Sequence, residues 1–330
     1  MKKFSILLLP IVIVAGFIVF SQYQKLINSS ANEDAVKPAS VSRQKSQNNY
    51  QDSTPLPEKP QRIVSLAPNV TEILFALGLD EKIVAVSNNS DYPEQAANKK
   101  KVGTFWQPNT EAIIASKPDL VVTLQLRTEQ QKPTADSLKR LGYQVLTLKI
   151  EKIEELLTAI QKIGVAADCT NRAEELVKDI SNQLNNLQAE FSSRGKVKVL
   201  WVVQTDPLRV AGRNTFINNL LEIAGGQNAV GPTIQQYPPI GTEELLACSP
   251  EAIIQSAMGT GNTDEQQKVA EKFWSKFAAL PAVKNNRIYV VQPDITLRLG
   301  PRLPQGIILI ADCLYPENFR QTGNSAKPDR

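Results

Sequence analysis

Histidine is absent from all 330 residues of this chain. That omission removes Ser–His–acid triads, histidine general bases and most zinc or copper sites, because those chemistries rest on an imidazole. Cysteine is sparse: three residues, no CxxC pair, and none before Cys169. A lipid-modified cysteine behind the N-terminal apolar run is therefore not expected. Cys169 and Cys313 could form a disulfide or remain thiols, and Cys248 reads as a small core residue. Positive charge is not concentrated either. The formal net charge is +4 and no Lys/Arg-rich block interrupts the folded part, so nucleic acid is not an expected partner.

Phosphate-binding and nucleophile motifs are missing as well. No GxGxxG or P-loop pattern occurs, Gly225-Gly226 follows a helix instead of opening one, and Ser65 has no histidine to activate it. Carboxylates alone could serve a glycosidase, but none stands out as a pair. The expectation is no catalytic residue, no metal ligand and no enzyme. A secreted α/β hydrolase is the remote competing reading, and a membrane-anchored scaffold that binds only protein is another.

What the chain does have is apolar surface for two cores, at 42% hydrophobic and 21% charged residues. Lys2 and Lys3 precede an almost wholly apolar run from Phe4 to Phe20, broken by Ser5 and Pro10. This run exceeds the usual secretory apolar region of about 7–15 residues and just reaches the roughly 17 needed to span a bilayer. Residues 1–24 read as a signal or anchor segment with its positive end in the cytoplasm; Val19 and Ser21 are the −3 and −1 positions if it is cleaved. The body is expected in the periplasm, tethered to the outer face of the inner membrane if the segment is retained. Residues 25–60 are rich in Ser, Asn, Gln and Lys and end in Pro55-Leu-Pro57-Glu-Lys-Pro60. They read as a disordered tether reaching on the order of 35 Å.

An internal echo organises the rest. Thr110-Glu-Ala-Ile-Ile-Ala-Ser-Lys-Pro-Asp-Leu-Val-Val122 recurs 132 residues later as Thr242-Glu-Glu-Leu-Leu-Ala-Cys-Ser-Pro-Glu-Ala-Ile-Ile254. Each copy reads as a Thr N-cap with a carboxylate behind it, a short helix, a proline stop and a buried strand. Two related lobes follow, 61–168 and 195–330. The first opens with the strand Arg62-Ile-Val-Ser-Leu66 and a capping-box-like start, Asn69-Val-Thr-Glu72, and both alternate strand with helix. Between them, in 169–194, Ala173, Leu176, Val177, Ile180, Leu184, Leu187 and Phe191 fall at helical spacing with no Gly or Pro. The fold expected is α/β: two Rossmann-like lobes with mostly parallel sheets, joined by one long rigid α-helix.

Such an arrangement places the loops before Thr110 and Thr242 on facing edges of a cleft, where open α/β sheets take ligands. Tyr92, Trp106 and Tyr237 offer rings that stack, and Gln107, Asp294 and Arg298 offer polar fixing points. Glu111 and Glu243 hold the same place in both copies. Acids in a first helical turn gain stability from the dipole wherever they occur; two such acids on related lobes would also present a two-fold partner with matching carboxylates.

Arg62-Ile-Val-Ser-Leu-Ala-Pro-Asn-Val-Thr-Glu-Ile-Leu-Phe-Ala-Leu-Gly78 resembles the opening motif of the helical-backbone periplasmic binding proteins of ABC importers. Ser90-Asp-Tyr-Pro93, Trp106-Gln107, Asn109-Thr-Glu-Ala-Ile113 and Lys117-Pro-Asp-Leu-Val121 resemble its cobalamin-binding branch. The resemblance spans about 60 to 320. It implies that Tyr92, Trp106 and Tyr237 line a corrinoid cleft, with Asp294 and Arg298 in a matching loop. It implies that Glu111 and Glu243 dock a permease dimer, and that the connecting helix allows only small lobe motions. The implied protein is a monomer without a cofactor of its own that carries cobalamin as cargo. Two positions depart from the branch. Leu124 stands where it can carry an aromatic, and Arg209 adds a cation to the expected lining. Both weaken the corrinoid reading against its alternative, a ferric-siderophore or haem binder, and the extra arginine would suit an anionic ferric chelate.

Overall fold

The computed structural model describes residues 59–125, 132–257 and 262–316. The signal or anchor segment and the tether up to residue 58 lie outside these residues. Among the described residues no helix is long and apolar enough to cross a membrane.

Five parallel strands form the first sheet: β1 (Ile63–Ser65), β2 (Ile83–Val86), β3 (Lys100–Lys101), β4 (Leu120–Leu124) and β5 (Gln144–Leu148), in the order β3-β2-β1-β4-β5. β1 and β4 are buried or nearly so along their lengths, which explains why they read as unbroken apolar runs. The second sheet holds β6 (Val197–Thr205), β7 (Leu208–Val210), β8 (Gly226–Asn228), β9 (Ala252–Ser256) and β10 (Ile288–Val291). Its order is β10-β9-β6, and the long β6 then carries β8 in parallel along its first half and β7 antiparallel along its second. Both sheets are thus mostly parallel, as the alternation of elements predicts.

The echo is structural as well as sequential. Helices start at Thr110 and Thr242, and the strands that follow, Leu120–Leu124 and Ala252–Ser256, keep the same 132-residue offset at both ends. Ile113 and Leu245 occupy equivalent, fully buried places. Lys117 and Ser249 both take the left-handed conformation (φ 46° and 45°) immediately before a proline. Asp119 accepts from the backbone N–H groups of Gln61 (2.8 Å) and Arg62 (2.9 Å); its counterpart Glu251 accepts from Lys198 (2.8 Å). Each acid therefore ties its own strand to the start of the adjacent strand, so the two copies hold their sheets by the same device.

Two local expectations need correction. The N-caps of the repeat helices are Asn109 and Gly241, with the threonines one residue inside; Asn109 Oδ1 already takes the Ala112 N–H at 2.9 Å. The Asn69–Glu72 capping box does not form either. Helix α1 (Pro68–Ala76) starts at Pro68 behind Ala67, and the Glu72 carboxylate turns to the other lobe. Of the two states left open for Cys169 and Cys313, the structure has free thiols, and Cys248 is free as well. Cys169 precedes the connecting helix while Cys313 lies in the closing helix, where burial pushes its thiol up to about 12.

The connecting helix runs from Thr170 to Ser192, about 34 Å at 1.5 Å per residue. Ala173, Ile180, Leu184 and Phe191 form its buried stripe. The helix Ile153–Ala166 packs on it so closely that a Cβ on Gly164 would lie 2.3 Å from that of Ala173. Two separate cores were expected; the structure has one shared core with a private one in each lobe. The shared core runs from Ile73, Leu74 and Ile160 through that stripe to Trp201, Leu221 and Ile310. Leu200, Ile253 and Trp274 belong to the private core of the second lobe, and Val64, Val121 and Leu138 to that of the first. The helix is a wall common to both lobes, because its stripe is apolar along the whole length.

The closing helix, Leu303–Leu314, packs on the connecting helix and carries Asp312. Burial raises the Asp312 carboxyl from 3.8 to about 6. The folded state then keeps a proton that the unfolded chain releases, so stability falls as pH rises from about 4 through 6. Asp312→Asn should raise the unfolding free energy by about 1 kcal/mol at pH 7.5, because solvent screens part of the effect at this half-buried carboxyl, and by almost nothing at pH 4. Melting curves at the two values check this; an equal gain at both would assign the effect to packing.

Candidate functional site

A cleft of about 1030 Å³ lies between the lobes. The first lobe supplies Pro68 and Asn69 at the start of α1, Phe105, Leu124 at the end of β4, and Lys149 to Lys152 beyond β5. The second supplies Arg213 to Phe216, Gln236, Tyr237 and Leu297 to Leu299. Most of these follow the C-terminal ends of strands, where a parallel sheet leaves its loops free to take a ligand.

Local structure fixes the lining. Gly103 (φ 95°) and Pro108 form an antiparallel bridge, and Thr104 Oγ1 accepts from the Gln107 N–H at 2.9 Å. The tip of this turn presents Phe105 with Trp106 edge-on, ring centres 4.9 Å apart. A Cβ on Gly103 would lie 2.6 Å from the Asn109 nitrogen and the Gln107 oxygen, so only glycine closes the turn. Across the cleft, residues 236–240 run antiparallel to β7. The Gly212 N–H donates to Gln236 O (2.7 Å) and the Ile240 N–H to Leu208 O (3.0 Å), which holds Tyr237 at the wall.

Three helices begin at this cleft, at Pro68, Ile153 and Phe216. Their dipoles make the walls electropositive. Lys149, Lys152, Arg213 and Arg298 add cations, against Glu151 and Glu154. Lys149 is held by Glu155 (2.7 Å) and Glu151 (3.6 Å), whereas the Arg213 side chain is exposed and its Nε donates to the backbone oxygen of Val230 (3.0 Å).

Of the residues singled out from sequence, Tyr237 and Arg298 line the cleft, as does Leu124. Trp106 is 38% exposed beside the lining Phe105, and Gln107 is exposed on the same turn. Arg209 stands behind the wall, where its Nη1 donates to Tyr237 O at 3.0 Å and so supports the loop. Tyr92 and Asp294 both engage Arg302: its guanidinium lies 3.8 Å over the Tyr92 ring, and its Nη1 donates to Asp294 Oδ2 at 3.4 Å. Glu111 and Glu243 are exposed, each the second residue of its helix, just beyond the cleft-side loops. The sequence did not single out Phe105, Lys149, Arg213 or Phe216. The aromatic next to Trp106 and the Arg213-Asn-Thr215 run ahead of a helix were the signals available.

Ion pairs link the lobes beside this cleft. Arg302 Nη2 and Nε donate to the two oxygens of Glu72 at 2.7 and 3.0 Å. Arg298 Nη1 lies 3.6 Å from Glu72 and donates to Asp91 at 2.8 Å. Burial alone would raise the Asp91 carboxyl, but the hydrogen bond and charge of Arg298 outweigh it and hold it below its ordinary value. Burial likewise opposes the Arg302 cation, and the bonds and charges of Glu72 and Asp294 more than offset it.

Comparison with known proteins agrees with this architecture. The chain is 32% identical over 269 residues to an uncharacterized ABC transporter substrate-binding lipoprotein, YvrC, of Bacillus subtilis, covering 80% of this chain and 83% of that protein. It is 27% identical over 257 residues to the vitamin B12-binding protein of Vibrio parahaemolyticus, covering 77% and 90%. A periplasmic heme-binding protein from Pseudomonas aeruginosa superposes with a TM-score of 0.68 at 29% identity, over 78% of this chain and 93% of that one. The model of the periplasmic binding protein family matches residues 63–295. With two mostly parallel sheets on one connecting helix, a cleft between them and that match over most of its length, the chain belongs to the periplasmic binding proteins, in their helical-backbone class.

Proposed function

We propose that this protein is the extracytoplasmic substrate-binding component of an ABC importer. It captures a bulky corrinoid-like ligand between its lobes and passes it, chemically unchanged, to a permease dimer. The carrying observation is the cleft itself. Its volume of about 1030 Å³ lies just above the roughly 300–1,000 Å³ usual for small-molecule sites. Its walls combine Phe105, Phe216 and Tyr237 with cationic side chains, which suits a large ring system with polar edges. The vitamin B12-binding relative supports a corrinoid. A second reading, an anionic iron chelate or haem, is favoured by Arg213, Arg298 and the three helix starts at the walls. Residues 1–24 hold the body at the membrane in this reading, since no cysteine precedes Cys169 to take a lipid.

Titrating the protein with cyanocobalamin, haem, a ferric catecholate and a ferric hydroxamate, followed by tryptophan fluorescence, tests the ligand. One of them should quench Trp106, and Tyr237→Ala should weaken that ligand by about tenfold, the scale of one lost aromatic contact with its buried area. Binding by none of the four would end the corrinoid and iron readings together.

A further inference from the structure

Glu72 is a buried charge for which neither the ligand nor the permease accounts. Its side chain is 2% exposed and that of Arg302 9%, and the two meet across the lobe boundary 230 residues apart in sequence. The contact is a two-point fork, Nη2 to Oε1 and Nε to Oε2, the geometry that fixes a guanidinium in one orientation. Arg298 approaches the same carboxylate at 3.6 Å, so one acid of the first lobe holds two arginines of the second. The neighbours complete the junction. Asn69 Nδ2 donates to Leu299 O at 3.1 Å, Asp91 takes Arg298, and Tyr92 lies beneath Arg302. Gly300 passes so close that a Cβ there would stand 3.3 Å from Glu72 Oε2, which would press the carboxylate by a few tenths of an ångström. Asn69, Arg298 and Leu299 are at once parts of this junction and of the cleft wall.

Buried ion pairs are a weak source of net stability, because desolvation consumes most of the attraction, whereas they fix geometry well. We infer that Glu72 is a positioning residue: its carboxylate clasps Arg302 and Arg298 to fix the distance between the lobes and to hold Arg298 at the cleft wall. The clasp bears on ligand affinity only if the cleft is the binding site proposed above; as a junction between lobes it stands without a ligand. Asp91 and Asp294 share the load, which leaves Arg298 and Arg302 anchored from both sides.

The test uses the full chain with its three cysteines changed to serine and spin labels on Lys139→Cys and Lys268→Cys, one exposed site in each lobe. The paired variant Glu72→Gln with Arg302→Gln removes the clasp without stranding a buried charge. Without ligand, the inter-label distance distribution should broaden or lengthen; an unchanged distribution would overturn the inference. Asp91→Asn, which removes only the half-exposed contact, should shift it the same way by a smaller amount, and keeps the test decisive if the paired variant fails to fold. Cyanocobalamin and haem titrations of the same proteins separate the two claims. Whichever probe the parent binds should bind the clasp variants at least tenfold more weakly, and equal affinity would remove the positioning role. If the parent binds neither probe, the corrinoid and haem readings fail while the label distances still judge the clasp.

Discussion

Uptake should fall to background when Glu111 and Glu243 are both changed to Lys, with ligand affinity unchanged. Each glutamate is exposed at the second position of its helix, and the two helices begin 132 residues apart at equivalent places in the duplicated lobes. A permease dimer with two-fold symmetry would meet both with the same basic pocket, and such rim charges govern orientation and the rate of encounter. Reversal replaces attraction by repulsion at both points. Neither residue lines the cleft, so cargo capture should survive. The fold should survive as well, because a cation near a helix N-terminus forfeits only about 0.3–1 kcal/mol. Each single reversal should leave partial transport. Import assayed in cells beside ligand titration of the purified variants decides it; undiminished import by the double variant would refute docking through these acids.

Trp201→Ala should lower the unfolding free energy by about 3–5 kcal/mol, the range for removing a fully buried large side chain. Trp201 lies in β6, the strand that carries β7, β8 and β9, and its side chain is wholly enclosed in the core shared by both lobes. The cavity would therefore be felt through the connecting helix, and urea unfolding should show one transition moved to lower midpoint. Trp201→Phe should retain most of the stability, since a ring still fills the space. A loss under about 1 kcal/mol, or a second-lobe transition that moves alone, would mean that the lobes fold as separate cores.

That shared core was not legible in the sequence, although its parts were. The apolar stripe of the connecting helix could be read residue by residue from Ala173 to Phe191, and β1, β4 and β9 from their unbroken runs, because burial on both faces leaves no polar alternation. The two-residue β3 and the edge strands β7 and β8 carried no such pattern and were missed. At Asn109 the better capping side chain sat one residue ahead of the threonine that the repeat had highlighted. Glu72 looked like a local helix partner, since three-residue spacing is all a sequence displays; its actual partner lies 230 residues away.

The cleft divides in the same way. Tyr237 and Arg298 line the cleft, and Tyr92 and Asp294 engage Arg302. The order of strands and helices, the duplication and the absence of imidazole chemistry are properties of the chain read in one dimension, set by periodicity and residue type. Which side chains face the cleft, which acid meets which arginine, and whether two lobes own one core or two are decided by contacts between residues distant in sequence. Periodicity records only that a residue is buried. What it is buried against depends on the packing of the lobes, and that appears only in three dimensions.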